Sequence, residues 1–178
     1  MKYSLINFMT GMALCGLASA DCQAGNAATN NDHEDNEKLC TSNGPGTYTF
    51  GMTTSDVCVP ALSGGLAGCS GNVQYYIFDE GCNLLGLYEG TPSCGVPFTI
   101  TENFLSQVLT VTAINTGAGA GSFTFNYGDG TFTINNNECD CVDDSSGLEG
   151  AQACKCAFPQ DGHFVGKRSA KFATGFPY

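Results

Sequence analysis

Carboxylates are the plentiful reactive groups of this chain: Asp56, Asp79, Glu80, Glu89, Glu102, Asp129, Glu138, Asp140, Asp143 and Asp144. Two of them facing each other across a cleft could hydrolyse a glycosidic bond, one as acid and one as base or nucleophile. The chain has no Trp, so the sugar-stacking floor of such a site would fall to Tyr75, Tyr76 or Tyr88. Glu138, Asp140, Asp143 and Asp144 form the densest acidic group, an oxygen-rich loop of the kind that attracts Ca²⁺. Its spacing does not fit an EF-hand, and a turn held by Asn and Asp side chains explains it equally well. His33 sits among Asp32, Glu34, Asp35 and Glu37, and His163 lies near Asp161. Either could be a base, but both surroundings read as solvated surface. Gly68-Cys69-Ser70-Gly71 lacks the Gly-x-Ser-x-Gly spacing of a serine-hydrolase elbow. No catalytic residue, cofactor site or metal site is therefore expected.

Between Lys38 and Lys155 there is no Lys, Arg or His, and the net charge is −11. Phosphate binding draws its free energy from cations that release counterions, so a nucleic-acid partner is excluded for this core. A ribonuclease would lack the cation needed against developing phosphorane charge. A polybasic membrane patch is excluded by the same count.

Lys2, an apolar stretch from Ile6 to Leu17 and Ala18-Ser19-Ala20 form the three parts of a secretory signal, cut after Ala20. The apolar stretch is too short to span a membrane, and Leu14 before Cys15 is too large for a lipoprotein signal. Cleavage removes Cys15 from the 11 cysteines and leaves an even set: Cys22, Cys40, Cys58, Cys69, Cys82, Cys94, Cys139, Cys141, Cys154 and Cys156. An even count suits full pairing in an oxidising compartment. Sequence alone does not yield the connectivity, but a bridge within Cys139-Asp140-Cys141 or Cys154-Lys155-Cys156 would have poor geometry. Four thiolates could hold zinc or copper, yet zinc sites favour wider spacing within each cysteine pair and secreted thiols oxidise. The two Cys-x-Cys units are thus read as disulfides, joined to each other or tying a C-terminal loop back to the body.

The elements that must carry these groups are strands. Tyr48 and Phe50, then Leu109, Val111 and Ala113, then Phe123, Phe125 and Tyr127, each alternate with Thr or Asn, which puts one set inward and the other toward solvent. Gly128-Asp129-Gly130 separates Phe123 to Tyr127 from Thr131 to Ile134 as a hairpin loop would. Gln74 to Phe78 and Leu84 to Tyr88 form a second hairpin across Asp79 to Asn83. A short helix over Glu102 to Gln107, capped by Thr101, is the only helical expectation. The fold class expected is all-β: a disulfide-stapled antiparallel β-sandwich or small barrel with flexible termini.

Four segments follow from these signals. Residues 1–20 are the signal, 21–39 an acidic flexible arm that Cys22 could pin, 40–157 the β domain and 158–178 a tail. Lys167-Arg168 in that tail is the type of site cut by secretory-pathway processing proteases, which would release Ser169 to Tyr178. That peptide occurs once, so a dedicated peptide precursor is the weaker reading. The tail is not hydrophobic, which excludes a GPI anchor, and no Asn-x-Ser/Thr sequon is present.

The signal, the even cysteine set, the small acidic β-rich body and Lys167-Arg168 together resemble fungal small secreted cysteine-rich proteins, effector candidates among them. The resemblance is one of layout, without a diagnostic motif. It implies extracellular action on a host, a competitor or the producer's own wall. The expected function is a secreted, non-enzymatic binding or toxin-like module whose stapled sheet presents loops to an unidentified extracellular protein or glycan. The rival expectation is a carbohydrate-binding protein or glycoside hydrolase that uses surface carboxylates and the tyrosines.

Overall fold

The computed structural model describes residues 22–25, 39–60, 66–115, 122–133, 139–143 and 149–163. Nine strands follow in chain order: β1 (Thr47–Pro60), β2 (Leu66–Phe78), β3 (Leu84–Glu89), β4 (Phe98–Ile100), β5 (Leu109–Asn115), β6 (Ser122–Tyr127), β7 (Gly130–Thr133), β8 (Cys139–Asp143) and β9 (Glu149–Pro159). They form two antiparallel sheets, a five-stranded one in the order β3-β2-β1-β9-β8 and a four-stranded one in the order β4-β5-β6-β7. Neither sheet closes on itself, so of the two expected architectures the chain adopts the sandwich. The sheets meet through the alternating residues: Phe50 and Met52 of β1, Tyr75 and Ile77 of β2 and Phe158 of β9 pack against Phe98, Leu109, Val111, Phe123, Phe125 and Phe132. Phe50 meets Phe125 and Phe123 edge-on with ring centroids 5.0 and 5.2 Å apart, so the aromatic rings interlock across the layer.

The turns follow the local chemistry. Gly128 takes a positive φ of 57° in the β6–β7 hairpin, and its Cα lies against Gly162, which leaves no room for a side chain. In the β2–β3 hairpin one oxygen of Asp79 accepts from the Gly81 and Asn83 amides at 2.9 and 2.8 Å, while the other accepts from Asn83 Nδ2 at 2.8 Å. That turn holds Cys82 at φ 64°, an unusual conformation for a residue with a Cβ.

The five-stranded sheet is also covered on its outer face. Leu39 and Cys40 pack there on Tyr76, Phe78 and Leu87. Gly51 makes the close approach possible, since a Cβ at that position would lie 3.2 Å from the Leu39 carbonyl oxygen. Leu39, assigned to the flexible arm, is therefore a core residue at 3% exposure.

Cys22 to Gly25 is tied down: Thr99 N–H donates to Cys22 O at 2.7 Å and Ala24 N–H donates to Thr99 O at 2.8 Å, which lays the segment along β4. Two further expectations are corrected. Glu102 to Gln107 forms turns instead of a helix, because after one bond from Leu105 N–H to Glu102 O the Ser106 N–H donates to the Tyr127 hydroxyl. Phe158 is not the first residue of a tail but a core side chain near the end of β9. Lys167, Arg168 and the rest of the tail beyond His163 lie outside the described residues, as do Ala20 and the signal segment.

Candidate functional site

Strand periodicity decides where the Cys-x-Cys units point. Within a strand, residues two apart share a face, so each unit directs both sulfurs to one side. In the hairpin of β8 and β9, Cys139 lies opposite Cys156 and Cys141 opposite Cys154, and each pair is bridged. This is the direct joining of the two units, and it leaves none of these four cysteines as a thiolate for a metal. Cys22 is bridged to Cys94 and Cys40 to Cys82, which pins the N-terminal segment to the β3–β4 loop and the outer covering to the β2–β3 turn. Cys58 and Cys69 are register partners in the β1–β2 pair.

The face opposite the two cystines carries a residue that the sequence reading passed over. Lys155, between Cys154 and Cys156, must point the other way, where it is 6% exposed beside Gly51 of β1 and Asp140 of β8. Burial lowers its pKa below the ordinary lysine value, and the facing Asp140 carboxylate opposes that shift. It is the only Lys or Arg among the described residues. The pattern Cys-Lys-Cys in a strand was the available signal. Of the proposed calcium ligands, Asp140 is thus set against a lysine, while Glu138 and Asp144 lie outside the described residues. Among the described residues no three His, Cys, Asp or Glu side chains converge on a metal position.

Several of the carboxylates are engaged with the scaffold. Asp79 anchors its turn, and its pKa is lowered: burial acts upward, but hydrogen bonds from the Asn83 side chain and from the Asn83 and Gly81 amides outweigh it. Glu80 Oε2 accepts from Gly46 N–H at 3.0 Å and from Gln160 Nε2 at 3.5 Å, tying the β2–β3 turn to the start of β1 and the end of β9. Glu102 accepts the Tyr88 hydroxyl proton at 3.1 Å. Asp129 lies 3.9 Å from His163 Nδ1, both largely exposed, a pair that solvent screens.

The tyrosines considered for sugar stacking are not surface residues. Tyr75, Tyr76 and Tyr88 are at most 2% exposed. Tyr75 and Tyr88 face the sandwich core, and Tyr76 lies under the Leu39 covering. Their mutual offset along β2 and β3 explains why: Tyr75 opposes Tyr88 on the inner face, and Tyr76 opposes Leu87 on the outer. Burial raises the pKa of Tyr75, against a hydrogen bond with Thr91, and burial reinforced by Glu102 raises that of Tyr88. Both remain neutral hydroxyls that anchor, and neither presents a ring to a ligand.

No protein-family model matches this chain, and no curated protein or solved structure matches it either.

Proposed function

We propose that this chain is a secreted, non-enzymatic binding protein of effector or toxin-like type that acts outside the producing cell. The observation that carries the reading is how the potentially reactive groups are used. The tyrosines are core, Asp79, Glu80 and Glu102 hold turns and strands in place, and the Cys-x-Cys units form a disulfide clamp. The four disulfides among the described residues are typical of extracellular proteins. A stapled sandwich of this kind offers a rigid frame from which loops and edges meet a partner. Removal of the segment after Arg168 belongs to the same proposal. The Gln160 to Gly162 stretch is held by Gly46, Ser106 and Asp129, and the proposed cut follows these ties in the chain.

Intact-mass and peptide mass spectrometry of the full chain expressed in a secretory host tests the proposal. The expected product starts at Asp21, has no free thiol and ends at Arg168. Retention of the chain inside the cell, or two or more free thiols in the secreted product, would overturn it.

A further inference from the structure

An antiparallel sheet exposes unpaired main-chain groups wherever a strand has a neighbour on one side only. This fold treats its edges unequally. Cys22 to Gly25 lies along β4, held by main-chain hydrogen bonds and the Cys22–Cys94 bridge. The outer strand at the far side of the five-stranded sheet, β8, carries Asp140 and Asp143 and is stapled twice to β9. At the near side, β3 has the sequence Leu-Leu-Gly-Leu-Tyr-Glu and pairs only with β2 among the described residues.

The direction of its open groups follows from the register. Gly90 N–H donates to Val73 O at 2.7 Å, and hydrogen-bonded partners alternate along an antiparallel pair. Tyr88 therefore exchanges its main-chain bonds with Tyr75 and Gly86 with Ile77, and the N–H and C=O groups of Leu87 and Glu89 turn away from the sheet. Carboxylates flank both ends of this edge. Asp79 and Glu80 precede it in the β2–β3 turn, and Glu89 closes it. The only described lysine, Lys155, is buried three strands away on β9.

We propose that β3 is a docking edge for an extended cationic peptide segment of a partner protein, which adds as a further strand with Lys or Arg toward each end. The inference deepens the binding-protein reading, on which it rests, by naming the surface and the chemistry of the partner. Main-chain bonds to Leu87 and Glu89 supply the docking, and the flanking carboxylates select a basic strand over a neutral or acidic one.

The test uses the full chain, a blocked peptide of alternating valine and threonine with lysine at each end, and the same peptide with glutamine or glutamate replacing the lysines. Hydrogen exchange should find the Leu87 and Glu89 amides unprotected in the free protein and slowed when the lysine peptide is added. Binding should weaken with salt and in the order lysine, glutamine, glutamate. Glu89→Gln should weaken it roughly two- to five-fold, as loss of one exposed charge does. Glu89→Pro, which removes an outward N–H that the ladder does not use, should abolish it. An N-methylated lysine peptide, lacking its main-chain donors, should also fail to bind and leaves the protein untouched. Amides already protected in the free chain would overturn the proposal, as would no binding at millimolar peptide. Binding without a change at Leu87 and Glu89 would overturn the proposed edge while leaving the binding-protein reading intact. The mass-spectrometric test above decides that reading independently.

Discussion

Phe158→Ala separates two accounts of where the folded body ends. Phe158 is 1% exposed and its ring meets Tyr127, Phe125 and Tyr48 at centroid distances of 4.8, 5.6 and 5.6 Å. Tyr127 and Phe125 belong to the opposite sheet, whose strands are held by ladder bonds, so the space left by the ring cannot close easily. Truncation of a buried Phe costs about 3 to 5 kcal/mol, and this rigid setting favours the middle of that range or above, about 4 kcal/mol. For a domain of this size that lowers Tm by roughly 10 to 15 °C. Urea unfolding with the disulfides intact should show the loss as a lower midpoint with an unchanged slope, since the surface exposed on unfolding hardly changes. Phe158→Leu, which refills part of the volume, should recover more than half of the loss. A Phe158→Ala protein within about 1 kcal/mol of the parent would refute the packing argument. It would mean that the ring contributes nothing across the layer and that the tail begins before it.

Reduction should unfold the protein, while EDTA should leave its circular dichroism unchanged; melting by EDTA with resistance to reductant would reverse the disulfide account. On the chain-entropy estimate, Cys22–Cys94 and Cys40–Cys82, with separations of 72 and 42, each contribute about 4 kcal/mol. The nested Cys139–Cys156 and Cys141–Cys154 bridges should give less than twice the single value of about 3 kcal/mol, measurable with single and double Ala pairs. Gly51→Val should destabilise by about 1 to 3 kcal/mol, because the new side chain displaces Leu39, and limited proteolysis should then cut sooner near Leu39. Gly128→Ala should lose at least about 1 kcal/mol in denaturant titration, since it meets both a positive φ and the Gly162 main chain. The lowered pKa of Asp79 sets its pH signature. Its contribution is complete above the unfolded carboxyl value and disappears as pH falls through the lower folded one. Asp79→Asn should therefore flatten the acid limb of the stability profile between those values, and an unchanged limb would count against the turn assignment.

Much of the inner layer was legible because alternation is a local property. Phe123, Phe125 and Tyr127 could be assigned to one face from their spacing alone, and the Gly128 turn from its composition. The same rule, applied to Cys154-Lys155-Cys156, would have placed a lysine on the face away from the cystines. Cysteine spacing is ambiguous there, because Cys-x-Cys suits bridging and metal chemistry as well as a strand. The tyrosines misled for a related reason. Tyr75 and Tyr76 are adjacent and so must face opposite ways, but both faces of the five-stranded sheet are covered, so neither reaches solvent.

By itself the sequence determined the all-β class, the positions of two hairpins, the acidic, cation-poor character of the body and a cysteine set suited to oxidative pairing. These depend on neighbours in the chain or on totals along it. Only the tertiary structure decided that Cys22 meets Cys94, that Leu39 lies on Gly51, that Phe158 belongs to the core and that β3 pairs only with β2 among the described residues. Each of these depends on which parts of the chain, far apart in sequence, meet one another. Such choices follow from how two sheets bury their faces together, and no short-range pattern of residue types encodes that.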